Sequence, residues 1–305
     1  MTWHILGAGS IGCLWAARLC LAGLSVRLIL RESRLTALQN NGNRIGFTDL
    51  QQIRHNLRVQ GETADNHEPV RRLILATKAH AARQAVESIL HRLSLDSELI
   101  LLQNGIGSQQ EVARLLPETR ILVASSTEGA FLQDSFHCVH AGQGQTLLGE
   151  LQAASAAPAW LAQLDRAGIP CQWQDNIHGV LWRKLAINCL INPLTVLHRC
   201  RNGELAAHGR QLAVLAGELE SLLHAAGQPG AAQDLYATVM QVIHATAANT
   251  SSMLQDVQQG RRTEISYITG HALQQSRILG LPCPHLQALH DSLQQQLRKL
   301  GLPDF

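Results

Sequence analysis

Apolar positions fall into two regimes along the chain. In the first, short apolar runs alternate with helical patterns. Residues 3–6, 25–30, 72–77, 98–103 and 121–125 read as strands. Glycine punctuation and a helix to about residue 22 follow the first run, and a helical pattern over about 81–93 follows the third. Strands that alternate with helices imply βαβ units and a parallel sheet. Residues 145–151 predict a late edge strand, and the Ala/Ser-rich stretch 151–159 predicts a loop entering one last α/β element.

The texture changes near residue 176. Helical patterns then cover about 178–198, 203–226, 231–248, 263–279 and 284–300, and strand-like alternation stops. Gly227-Gln228-Pro229-Gly230 and Gly280-Leu281-Pro282 separate these helices. The expected architecture is an α/β Rossmann-type domain with a parallel-rich sheet over 1–175. An all-α domain over 176–305 follows it.

Gly7-Ala8-Gly9-Ser10-Ile11-Gly12 lies between the first strand and the first helix. The first glycine permits a tight turn, the second a close approach by a pyrophosphate, and the third close helix–strand packing. Free N–H groups at the helix start then favour the phosphates. The motif alone is weak, and its strand–turn–helix setting strengthens it. An NAD site usually carries Asp or Glu at the end of the second strand. Here that strand ends in Arg31, whose forked donors and charge suit a 2′-phosphate, so NADPH is the expected cofactor. Glu32 follows and works against this if the strand ends one residue later. Lys78 and Asn104 stand at the ends of two further strands, where open α/β sheets bind ligands. Their plainer readings are a solvated lysine and a turn asparagine.

The segment 179–197 is apolar nearly all round, the mark of a buried helix. Lys184, Asn188 and Asn192 recur at intervals of four and share one face. Burying a lysine and two amides without partners is unfavourable, so the stripe fits a lining for a polar substrate. Pro193 removes a backbone donor and is expected to bend or end the helix. Arg183 is expected to be exposed. Further on, Asn249-Thr250-Ser251-Ser252 and Asp256 allow a helix cap or local surface partners, and Glu264 an exposed ion pair with Arg261 or Arg262. That segment alone supports no function.

Composition narrows the field. A 46% hydrophobic content over 305 residues sustains a well-buried core. Aromatics at 4% argue against base-stacking platforms, and a net charge of +2 gives no bulk attraction to nucleic acid or anionic lipid. The seven cysteines contain no C-x-x-C pair and read as core thiols of a reducing, cytoplasmic compartment. The fifteen histidines form no ligand pattern, so they are read as surface and cap residues and no metal is expected. The apolar N-terminus lacks a basic start, and glycines interrupt it where a signal peptide is continuous. No window reaches the length of a membrane span free of charge or several glycines.

Together these segments resemble the ketopantoate reductase family. The resemblance rests on the glycine turn, Lys78, Asn104-Gly105, Lys184/Asn188/Asn192-Pro193, Asn202-Gly203-Glu204, Asn249-x-Ser251-Ser252-Met253-x-Gln255-Asp256 and Glu264, in order over nearly the whole chain. It implies a helical domain like that of 6-phosphogluconate dehydrogenase and an interdomain cleft closing over NADPH and ketopantoate. It implies Lys184 as the catalytic acid. Asn104, Asn188, Asn192, Asn202, Ser252 and Glu264 match substrate-binding positions. The turn residues 7–12, Arg31, Lys78 and Asn104 match cofactor positions. The implied reaction forms (R)-pantoate for pantothenate and coenzyme A biosynthesis. The expected partner is a small keto acid, without nucleic acid or membrane, in a monomer or homodimer. The rivals that stay open are a reductase of another small 2-keto acid in the family, a different two-domain dehydrogenase of a 3-hydroxy acid or a sugar acid, and a non-catalytic NADPH sensor.

Overall fold

The computed structural model describes residues 1–152 and 156–305. The part of the expected 151–159 loop that covers 153–155 lies outside the described residues. Two compact units are present: Met1–Gln103 with Ser108–Ile177, and Asn104–Gly107 with His178–Phe305.

The first unit holds an eight-stranded sheet. Its strands are β1 (Trp3–Leu6), β2 (Val26–Ile29), β5 (Gln60–Glu62), β6 (Arg72–Leu75), β7 (Glu98–Leu101), β8 (Arg120–Ser126), β11 (Thr146–Glu150) and β12 (Cys171–Trp173). Their spatial order is β12-β11-β8-β7-β6-β1-β2-β5. Pairing is parallel except between β8 and β11. β1, β6, β7 and β8 are almost wholly buried, as continuous apolar runs in a sheet covered on both faces should be. The order reverses between β1 and β6, since the chain runs outward from β1 to β5 and then returns to β6. Ligands of such sheets bind at the carboxyl ends of strands at that reversal. The expected edge strand at 145–151 is β11, one place inside the edge. β12 takes the edge, after helix α5 (Leu161–Arg166).

A second sheet was not legible in the sequence. Strands β3 (Arg44–Thr48), β4 (Arg54–Arg58), β9 (Gly129–Asp134) and β10 (His137–Gly142) form it in the order β4-β3-β10-β9. β4 is an exposed edge carrying two arginines and a histidine, a composition that discourages further strand pairing. Helix α1 (Ser10–Leu21) packs on β1 and β2 and also on β3, β9 and β10. That double burial explains why its residues 12–19 are all buried and why it shows no polar face. Helices α2 (Glu32–Asn40), α3 (Ala79–Glu87) and α4 (Ser108–Leu115) complete the unit. Not all histidines are surface residues. His4 and His140 are buried, and His140 shares the Glu128 carboxylate with Arg18.

The second unit contains only helices and turns among the described residues. α6 (Ile177–His198) is followed by α7 (Gly209–Ala225), α8 (Pro229–Ala232), α9 (Leu235–Ala245), α10 (Ser252–Gln258), α11 (Thr269–Ile278) and α12 (Pro284–Lys299). α10 had no counterpart in the apolar pattern. Pro193 neither ends nor replaces α6, which runs five residues beyond it. Leu190, Ile191, Leu194 and Val196 are buried on both sides of the proline, and this packing keeps the helix continuous. Among the described residues α6 alone is long and apolar enough to cross a membrane, and 61% of that window is buried inside the protein.

Candidate active site

The glycine turn sits where the sheet reverses. Gly7 has φ +108°, and a Cβ there would lie 2.8 Å from the Thr77 amide nitrogen. The turn is therefore pressed against the β6–α3 connection, and only glycine fits. A Cβ on Gly12 would come within 2.0 Å of the Gly7 carbonyl, so α1 is packed directly onto the turn. Gly9 differs, because a Cβ there would meet nothing within 4 Å. Gly9 is also the N-cap of α1 and supplies no side-chain acceptor to the first-turn N–H groups. Open space beside unfilled donors is what a pyrophosphate requires. Ala8, Ser10 and Ile11 complete the turn. Cys13 donates to the Ala8 carbonyl at 3.5 Å and Cys138 to the Ser10 carbonyl at 3.4 Å. Burial pushes both thiols up to about 12, which keeps their protons in place as donors.

Arg31 is exposed, at the N-cap of α2 and two residues past β2. Lys78 is half-buried at the N-cap of α3, beyond the carboxyl end of β6. Both stand at the strand ends where the sequence placed them.

The remaining candidates belong to the second unit. Lys184, Asn188 and Asn192 follow one face of α6, and Asn192 is buried. Arg183 fixes that face. It is half-buried rather than exposed, and donates to the carbonyls of Gly230, Ala231 and Gln233 and to Thr238 Oγ1 at 2.6 Å. Glu264 is 4% exposed, so the surface ion pair does not form. Arg261 instead binds the buried Asp256 at 2.9 Å, and Arg262 donates to the Phe305 carbonyl. Asn104 Nδ2 donates to Glu264 Oε2 at 3.3 Å. Residues 104–107 join this unit through the turn that precedes α11, where the Ile106 amide donates to the Tyr267 carbonyl at 2.9 Å.

Lys184 keeps some solvent access while protein atoms surround it. Loss of hydration lowers its ammonium to about 8, and the negative charge of Glu264 opposes the shift. His271 is lowered to about 4 by burial, so it is neutral near pH 7 and leaves Lys184 as the titrating cation. The structure thus brings Lys184, Asn104 and Glu264 into one electrostatic group, with Asn188 and Asn192 on the same helix face.

Asn202 and Ser252 are placed differently. Asn202 is buried; its Nδ2 donates to Thr246 Oγ1 at 2.9 Å, and its Oδ1 finds no partner among the described residues. Ser252 opens α10 and is exposed, whereas the preceding Ser251 is buried and caps the helix by accepting from the Leu254 amide. Ser251 also shares a 2.6 Å bond with Thr195, whose Oγ1 reaches the Asn192 carbonyl at 2.8 Å. This hydroxyl pair ties the asparagine stripe to the start of α10, and the apolar pattern gave no sign of it. Thr195→Val is expected to lower stability by about 1–2 kcal/mol and to raise KM for the substrate, whereas Thr195→Ser retains both. Thermal unfolding with steady-state kinetics checks this, and a wild-type KM in Thr195→Val would show that the pair does not position the stripe.

A glycine turn at the reversal of a parallel sheet, and a half-buried lysine whose ammonium feels a buried carboxylate, are the features of a dinucleotide-dependent oxidoreductase. The family described as ketopantoate reductase PanE/ApbA matches residues 3–153, and its C-terminal counterpart matches residues 176–296. A 2-dehydropantoate 2-reductase of Vibrio cholerae serotype O1 is 33% identical over 301 residues, covering 97% of this chain and 96% of that protein. Among solved structures, a probable 2-dehydropantoate 2-reductase from Bacillus subtilis aligns with TM-score 0.81 and 26% identity, covering 97% of this chain and 100% of that one. A ternary complex of D-mandelate dehydrogenase with NADH and anilino(oxo)acetate aligns with TM-score 0.89, covering 99% and 100%; at 21% identity it shows the fold alone. The chain belongs to the ketopantoate reductase family. A nicotinamide dinucleotide is the cofactor that membership brings.

Proposed function

We propose that this chain uses NADPH to reduce ketopantoate (2-dehydropantoate) to (R)-pantoate, in the cytoplasm, for pantothenate and coenzyme A biosynthesis. The observation that carries the reading is the lowered ammonium of Lys184 beside Glu264, on one helix face with two asparagines. The turn residues 7–12 hold the pyrophosphate. Arg31 answers the 2′-phosphate, and Lys78 and Asn104 serve the cofactor end of the site. Seven free thiols fit the reducing compartment.

A nicotinamide held here would supply the hydride. As hydride reaches the ketone carbon, negative charge grows on the oxygen. Lys184 stabilises that charge and delivers the proton from Nζ that completes the hydroxyl. Glu264 keeps the ammonium charged at neutral pH despite burial. Asn188, Asn192, Asn202 and Ser252 hold the substrate's carboxylate and terminal hydroxyl, and Asn104 holds the Glu264 carboxylate in place.

The acid must be protonated to act, so kcat/KM for keto acid reduction is expected to be flat below pH 8. Above about 8 it falls tenfold per pH unit. A profile flat to pH 10 would remove Lys184 from this role. The substrate is tested by following NADPH oxidation with ketopantoate, pyruvate and 2-oxobutanoate. The highest kcat/KM is expected with ketopantoate. A clear preference for another keto acid would move the chain to a different activity within the family. Tight NADPH binding without turnover on any of them would make it a sensor.

A further inference from the structure

We infer that Arg34 is a second guanidinium for the cofactor's 2′-phosphate and sets the preference for NADPH over NADH; this rests on the dinucleotide reading of the first unit. Arg34 lies one turn into α2, three residues after Arg31 and on the same side of the helix. Its Nη2 donates to the Ala8 carbonyl in the phosphate turn at 3.2 Å and to the Ser135 carbonyl at 2.6 Å. Its guanidinium carbon stands 4.3 Å from the centroid of the Phe136 ring. Three contacts from two segments therefore fix a side chain that would otherwise be floppy.

The position matters because of the path a dinucleotide takes. Its pyrophosphate lies on the glycine turn and its adenosine ribose lies over the end of the second strand. A guanidinium tethered to Ala8 from the first turn of α2 bridges those two landmarks. The tether engages only Nη2, so the Nε and Nη1 hydrogens donate to nothing among the described residues. They lie on different edges of the guanidinium, and each can donate singly to a phosphate oxygen. Arg31, by contrast, is exposed and its backbone rather than its side chain serves α2. It adds charge, but its ordering is left to the moment of binding. Glu32 in the first turn of α2 opposes a dianion, and a second cation offsets it.

The test measures equilibrium binding of NADPH, NADH, 2′,5′-ADP and 5′-AMP to the wild-type protein and to Arg34→Gln, Arg34→Lys and Arg31→Gln. Arg34→Gln is expected to weaken NADPH and 2′,5′-ADP by about 10- to 100-fold while NADH and 5′-AMP change less than about threefold. Arg34→Lys recovers part of the loss, because it keeps the charge without the tethered, planar guanidinium. Equal weakening of phosphorylated and unphosphorylated ligands would overturn the inference and make Arg34 a prop for the turn. So would an unchanged ratio, or a loss of ratio confined to Arg31→Gln. If the wild-type protein binds none of the four, the dinucleotide reading itself falls, which is a separate and recognisable result. Thermal midpoints measured alongside show that each variant is folded.

Discussion

Lys184→Ala is expected to lower kcat by about three orders of magnitude while the Kd for NADPH changes only a few-fold. The size follows from the two tasks of one group. In the proposed mechanism its charge stabilises the growing alkoxide and its proton ends the reaction, and alanine supplies neither. Cofactor affinity survives because the pyrophosphate turn and the arginines lie on α1 and α2, not on α6. Stability should move the other way. The ammonium titrates at about 8 in the folded protein against 10.5 for an ordinary exposed lysine, so folding disfavours the charged form. That burden is fully present below pH 8 and is relieved as pH rises toward 10.5, on the order of a few kcal/mol in all. Lys184→Met should therefore be inactive yet more stable at pH 7, and its advantage should shrink by pH 10. Thermal unfolding at both pH values with steady-state kinetics checks this. Wild-type turnover in either variant would end the role of Lys184.

Gly105→Ala is expected to lower kcat/KM by about 100-fold without removing any side chain of the site. Gly105 has φ +78°, and a Cβ there would stand 2.2 Å from the Tyr267 carbonyl oxygen. That atom is backbone, and it is already bonded to the Ile106 amide, so it has little freedom to yield. The 104–107 segment must lift, and Asn104 leaves Glu264. Misplacement by about 1 Å in a site of this kind is enough for the predicted loss. Gly217→Ala is the control, because a Cβ on Gly217 meets nothing within 4 Å. It lies inside α7, where alanine is the better helix former. Wild-type kinetics in Gly105→Ala would show that the 104–107 segment is not needed to hold the site.

The strands most legible in the sequence were those with one uniform environment. β1, β6, β7 and β8 are buried on both faces and show as unbroken apolar runs. β3 and β4 are different. Arg44-Ile45-Gly46-Phe47-Thr48 and Arg54-His55-Asn56-Leu57-Arg58 mix charge and apolar residues because one sits beside α1 and the other is an exposed edge. Such strands acquire their identity only from the neighbour that pairs with them. On α6, the shared face of Lys184, Asn188 and Asn192 was readable because three polar residues at a helical interval conflict with an apolar helix. Glu264 was misjudged because its neighbours Arg261 and Arg262 suggest a surface pair, while the true partner, Asn104, is 160 residues away. Thr195, Arg183 and Arg34 gave no local signal, since each matters through a contact that only the fold creates.

The central claim is that Lys184 carries a titratable proton near pH 8, and the chain is well suited to a direct test. It contains three lysines, Lys78, Lys184 and Lys299. Selective ¹³C labelling at lysine Cε gives three NMR signals to follow against pH, and the one missing from Lys184→Met is assigned to Lys184. This signal is expected to titrate at about 8, in step with the fall of kcat/KM. Titration of that signal above pH 10, with activity still falling near 8, would contradict the claim.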